Sequence, residues 1–155
     1  EAVAASGAAA CLMHMQGEPR TMQAAPRYAD VCAEVRDFLR ERVAACLAAG
    51  VGRDRLVVDP GFGFGKTAEH NLQLLAGLER LVADGLPVLA GLSRKSLVGH
   101  LPVRPAGERL PGSLALAAIA VMNGAAIVRA HDVAPTVDVV RIAAAVRARQ
   151  GDRQA

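Results

Sequence analysis

There is no tryptophan in the chain, only one tyrosine and three phenylalanines, so aromatics are 3% of its 155 residues. Base-stacking platforms for single-stranded nucleic acid need more than that. Lysine is nearly absent too: sixteen of the eighteen basic residues are arginine, scattered rather than gathered into a stripe. The net charge of +3 is therefore read as compatible with a small anionic substrate and not as a nucleic-acid footprint. Cysteine is limited to Cys11, Cys32 and Cys46, an odd number without C-x-x-C spacing. Such thiols are expected to be reduced, as in a cytoplasmic protein. The four histidines show no metal-ligand spacing. No signal peptide stands at the start, and no apolar run is long enough to span a bilayer, so no membrane partner is expected.

What is plentiful is Ala, Val, Leu and Ile, within a 52% hydrophobic composition that suits a single domain over residues 1–155. The rest of the chain is organised around Leu56 to Thr67, LVVDPGFGFGKT. A β-branched apolar run ends on a carboxylate, Asp59. Then come Pro60 and alternate glycines Gly61, Gly63 and Gly65, with Phe62 and Phe64 between them and Lys66 behind. A P-loop would need a glycine where Pro60 stands, and proline has no N–H for a phosphate. A dinucleotide fingerprint fails at Lys66 or Ala68, depending on where it starts. Two phenylalanines in a loop bury little unless they line a pocket.

The remaining pattern is strand then helix, four times over. EAVAASG reads as the tail of a helix capped by Gly7. Strands are expected at 8–13, 56–58, 87–91 and 126–130. Helices are expected at 30–49, 70–83 and 112–123, in a short stretch running toward His100, and after Pro135. In the last helix Val139, Ile142, Ala143 and Val146 should form the inward stripe. The helix at 112–123 carries no charge, which predicts burial on both sides or a subunit contact. Apolar strands alternating with helices predict an α/β fold with a parallel sheet whose active groups sit at the strands' carboxyl ends.

Those ends hold Met13 and His14; Asp59 with Phe62 and Phe64; Gly91 to Ser96; and Arg129 with His131. Each has an ordinary alternative. The ordinary role of an Asp after a strand is a cap or turn, but Pro60 and the glycines after Asp59 make an immediate helix unfavourable. Lys95 is a surface lysine by base rate, yet both lysines of this arginine-rich chain follow glycine-containing strand ends. Lys66 is the weaker of the two, since nothing beside it restricts its direction. Ser93 and Ser96 fit helix caps, and a helix start there also suits a carboxylate. Arg129 and His131 point to one side of a strand end, or pair with Asp132. Met13 is more often core, and His14 a satisfied loop histidine.

CLMHMQGEPRTMQ at 11–23, DPGFGFGKT at 59–67 with HNLQLL after it, GLSRKS at 91–96, GERLPGSLA at 107–115 and RAHDV at 129–133 resemble the dihydropteroate synthase family of bacterial folate biosynthesis. The similarity runs along the whole chain, in order and in spacing. It implies a TIM (β/α)₈ barrel of which this chain matches about four C-terminal βα units, strands five to eight. It implies a transferase that condenses 6-hydroxymethyl-7,8-dihydropterin pyrophosphate with p-aminobenzoate, with Mg²⁺ assisting and its protein ligand in the family's N-terminal half. The resemblance also implies a homodimer. Carried over by residue, Asp59 accepts from the pterin's amino-pyrimidinone edge and Lys95 donates to the ring. Gly91 lets the pterin approach, and Met13 lines its pocket. Phe62 and Phe64 flank the p-aminobenzoate channel, Ser96 meets the carboxylate, and Ser93 joins the substrate-binding set. Arg129 stacks on the pterin and with His131 holds the pyrophosphate. Lys95, Arg129 and His131 are the residues so implied as catalytic. The family's early segments have no counterpart here, so the 155 residues alone are expected to be inactive. A pterin-binding methyltransferase domain and a non-catalytic truncated paralogue are the competing readings.

Overall fold

A computed structural model describes residues 2–95, 97 and 105–151. Helix α1 (Ala2–Ser6) leads through Gly7, at φ +70°, into strand β1 (Ala10–Met13). After a long loop, α2 (Val31–Ala48) starts at Asp30, whose carboxylate accepts from the amides of Cys32 and Ala33. That satisfies two of the donors a helix start leaves orphaned. Strand β2 (Leu56–Asp59) follows a single 3₁₀ turn at Arg53–Arg55.

The helix expected over 70–83 is two helices, α3 (Ala68–Ala76) and α4 (Glu79–Val82), separated at Gly77. A Cβ on Gly77 would lie 2.8 Å from the Cys32 sulfur, so the break lets α2 pack closely. Thr67 opens α3 with a reciprocal capping box to His70. Strand β3 (Leu89–Ala90), a 3₁₀ turn at Ala106–Glu108, helix α5 (Leu110–Met122), strand β4 (Ile127–Val128) and helix α6 (Val133–Gly151) complete the order. The helix expected toward His100 lies outside the described residues.

The strands run parallel in chain order. Met13 stands opposite Asp59 at the end of the β1–β2 ladder. A bridge between Val58 and Val88 joins β2 to β3, and Leu89 and Ala90 pair with Ile127 and Val128. Sequential parallel neighbours linked by helices are the repeating unit of a barrel wall. The core lies between this wall and α2, α3 and α4: Val35, Leu74 and Leu78 are fully buried, and Leu56 and Val88 are 1% exposed. Each such side chain contributes roughly 1.5–3 kcal/mol by leaving water.

On α6 the inward stripe is not the expected one. Ala143 is buried, with Thr136 two turns earlier, but Ile142 is 67% exposed and Val146 48%. The uncharged helix α5 is also buried on one side only, through Ser113, Ala117, Ala120 and Val121, while Ile119 faces out. Leu47 near the end of α2 is exposed as well. No described helix is long and apolar enough to cross a membrane.

Candidate active site

The carboxyl ends of all four strands open on one side, and the glycine-rich loop crosses that opening. Gly61, Gly63 and Gly65 all have positive φ. A Cβ on Gly61 would fall 1.8 Å from the His14 carbonyl oxygen, so the loop passes directly over the end of β1.

Nearly every turn of this loop is held by a side chain. Asp59, 4% exposed, accepts from the Gly61 amide at 2.7 Å. The Gly63 amide donates to the buried Asn71 of α3 at 2.8 Å, and the Gly63 carbonyl accepts from Gln23. Tyr28 donates to the Gly65 carbonyl at 2.8 Å. Lys66 is 3% exposed and spends its ammonium on the carbonyls of Gly61 (3.0 Å) and Phe64 (3.1 Å) and on Nδ1 of His14 (2.9 Å). Burial pushes Lys66 down to about 7. Burial, with the Lys66 charge adding to it, pushes His14 down to about 4. His14 is therefore a neutral acceptor at Nδ1 near neutral pH.

The other carboxylate oxygen of Asp59 lies 3.7 Å from an Arg129 guanidinium nitrogen. Arg129 in turn lies across Gly91, where a Cβ would meet it at 2.8 Å. Lys95 bends back to the glycine loop, donating to the Phe62 carbonyl and standing 4.5 Å from the centre of the Phe64 ring. Burial lowers Lys95 to about 8; Asp59 opposes that shift and Arg129 adds to it. Ser93 accepts from the His131 amide at 3.2 Å, with its oxygen 3.1 Å from His131 Nδ1. Gly91, Ser93, Lys95, Ala130, Arg129 and His131 line an open cleft of about 280 Å³. The structure thus brings together Met13, Asp59, Phe64, Gly91, Ser93, Lys95, Arg129 and His131. Ser96 lies outside the described residues.

The family model for pterin-binding enzymes matches residues 1–131. The chain belongs to this family. The dihydropteroate synthase of Escherichia coli is 52% identical over 142 residues, covering 92% of this chain and 50% of that protein. The crystal structure of the Yersinia pestis dihydropteroate synthase with a sulfonamide drug complex superposes with a TM-score of 0.92 at 48% identity, covering 95% of this chain and 54% of that one. The Xanthomonas albilineans dihydropteroate synthase in complex with 7,8-dihydropteroate gives 0.86 at 48%, covering 95% and 53%. The fold is therefore that of part of a TIM barrel, and the chain spans about half the length of the curated relatives it matches.

Within this pterin-binding fold one expectation needs correcting, and one ordinary alternative falls away. Phe62 does not line a channel: it is 1% exposed and packs in the core, offering the opening only its carbonyl. Its two neighbouring glycines at positive φ send its ring inward, so Phe64 is the ring that lies by the cleft. Asp132 does not pair with Arg129 or His131 but takes Arg94 in a two-pronged ion pair. Sequence reasoning ranked Lys66 the weaker lysine and read His14 as an ordinary loop histidine, and it did not name Asn71 or Tyr28. The one available signal was the second lysine in an arginine-rich chain. Among the described residues no three His, Cys, Asp or Glu side chains converge on a metal.

Proposed function

We propose that this chain supplies the substrate-anchoring strand ends of a dihydropteroate synthase, which joins 6-hydroxymethyl-7,8-dihydropterin pyrophosphate to p-aminobenzoate. The observation that carries this reading is Asp59. It is a buried carboxylate with one oxygen tied to the Gly61 amide and the other 3.7 Å from Arg129, which lines an open cleft with Lys95 and His131. A carboxylate edge matches the paired N–H donors of an amino-pyrimidinone, and charge-assisted bonds of that kind are stronger than neutral ones. Lys95 then donates to the ring, and Met13, opposite Asp59 in the ladder, covers one side of it. Gly91 leaves the space that Arg129 and the pterin share. Phe64 takes the arylamine's face.

In the reaction the C–O bond to pyrophosphate breaks and the arylamine nitrogen bonds to the released methylene carbon, losing a proton. Arg129 and His131 at the leaving group stabilise the negative charge as it develops. Ser93 orients His131. Ser96 is assigned to the carboxylate of p-aminobenzoate by resemblance alone. The Mg²⁺ implied by the resemblance belongs, on this reading, to groups outside the described residues. The three free thiols agree with a cytoplasmic enzyme. A homodimer is supported by the outward apolar side chains Ile119, Ile142 and Val146 on α5 and α6. The set of cationic residues at the cleft favours the synthase over methyl transfer, which has no pyrophosphate to hold.

The test is formation of 7,8-dihydropteroate by a polypeptide in which this chain completes a barrel. Asp59→Asn is expected to weaken pterin binding by about 1.5–3 kcal/mol, roughly ten- to a hundredfold. Unchanged affinity in that variant, or methyl transfer in place of condensation, would sink the reading.

A further inference from the structure

Lys66 is the costliest side chain in the site, and the reading above does not use it. Its ammonium is 3% exposed and has no ion-pair partner within 4 Å among the described residues. Burying such a charge is unfavourable unless every proton is satisfied. Here each is. An ammonium has three donors, and Lys66 directs them at Gly61 O, Phe64 O and His14 Nδ1, at 3.0, 3.1 and 2.9 Å. None is left for a ligand, which rules out the role a lysine in a glycine loop suggests first.

The third contact is anchored from outside the loop. The His14 amide donates to the Asp59 carbonyl at 3.0 Å, extending the β1–β2 ladder. The His14 ring stands edge-on to Phe38 of α2, with centres 4.9 Å apart, and 5% of the residue is exposed. Lys66 therefore spans a rigid point and the two carbonyls on either side of Phe62 and Gly63. Those four residues carry the Phe64 ring and the carbonyl that holds Lys95.

Resting on the functional reading above, we propose that Lys66 and His14 form a buried clamp that sets the height of the Phe64 ring over the cleft. Lys66 is thus a positioning residue for the arylamine substrate. Its counterpart at the pterin, Asp59, is fixed by its own strand and by the Gly61 amide, so the clamp bears on one substrate more than on the other. Four further groups face the clamp: Asp59 from β2, Lys95 after β3, Tyr28 from the loop after β1, and Asn71 from α3, which donates to the Lys66 carbonyl at 3.5 Å.

The experiment compares Lys66→Met, His14→Leu and His14→Gln in a polypeptide that completes the barrel. Lys66→Met keeps the apolar stem and removes all three donors. It is expected to raise the KM for p-aminobenzoate at least tenfold, while the pterin dissociation constant moves less than threefold. His14→Leu should act in the same direction. His14→Gln, which keeps an acceptor, should recover most of the loss. The double variant Lys66→Met with His14→Leu should cost no more than Lys66→Met alone. Amide hydrogen exchange without ligand is the second readout, and it serves even if the catalytic reading fails. Exchange at Gly63 and Phe64 should speed up in Lys66→Met and stay slow in His14→Gln. Unchanged exchange at those amides overturns the clamp. Equal rises in both substrate constants, or a His14→Gln variant no better than His14→Leu, overturn the assignment to the arylamine side.

Discussion

At the scale of single residues, the site depends on groups whose protonation is set by burial. His14 is held near a pKa of 4 by desolvation and by the neighbouring Lys66, against 6.5 when free. The folded protein thus binds fewer protons than the unfolded chain between those values, and stability falls as pH falls through that window. The loss approaches roughly 3 kcal/mol at the acid limit. It is measured as urea midpoints of the completed barrel from pH 7 to 4, and His14→Gln should flatten the curve. A second residue-scale prediction separates two glycines. At Gly61 the obstacle is a backbone oxygen 1.8 Å from the added carbon, at a positive φ of +68°. Gly61→Ala should cost at least about 2 kcal/mol of stability, visible in chemical unfolding. At Gly91 the obstacle is the tip of Arg129, which can swing aside. Gly91→Ala should leave stability within about 0.5 kcal/mol and weaken pterin pyrophosphate binding about tenfold, read by calorimetry.

Among elements, the tie between α2 and the turn before β3 is the most testable. Asp84 takes both Arg36 (2.6 Å) and Arg40 (2.7 Å), and its carbonyl accepts from Arg53 at 2.6 Å. The Arg36 guanidinium leads in holding Asp84 down to about 2. Because the pair is partly exposed, the expected cost of Asp84→Asn is only about 1–2 kcal/mol, shrinking as pH falls below about 4 and gone only below about 2, where the folded-state carboxylate protonates; denaturant titrations at pH 7 and about 1.5 check it. Much at this scale was legible in the sequence. The four strand-helix units, the Gly7 cap and the strand-end location of Asp59, Lys95, Arg129 and His131 follow from local periodicity and turn chemistry. What was not legible depended on tertiary approach. Gly77 ends a helix whose apolar stripe runs on past it, and the close approach of Cys32 that a side chain there would crowd has no local trace. Phe62 and Phe64 have identical local patterns, and only the folded loop sends one ring inward. Lys66 reads as a loose surface lysine until the chain brings His14, fifty-two positions earlier, to 2.9 Å. The stripe on α6 failed because apolar periodicity marks a face that wants cover, and this chain covers only part of it.

At the scale of the whole molecule, the described residues form a run of four parallel strands in which β1 and β4 are each paired on one side among themselves. Beside β4, the exposed Ile127, Val133 and Val137 extend the apolar surface beyond that edge. An uncovered strand edge with apolar flanks favours pairing with another chain. The described residues bring Asp59, Lys95, Arg129 and His131 together at the strand ends. The central claim is that these 155 residues carry one half of a synthase site and need a complementary half to work. The most direct measurement is 7,8-dihydropteroate formation from dihydropterin pyrophosphate and p-aminobenzoate. It compares the chain alone with the chain joined to the N-terminal half of the Escherichia coli relative, each with and without Asp59→Ala. The account predicts no product from the chain alone, product from the joined protein, and its loss with Asp59→Ala. Turnover by the chain alone, or product undiminished by Asp59→Ala, would contradict it.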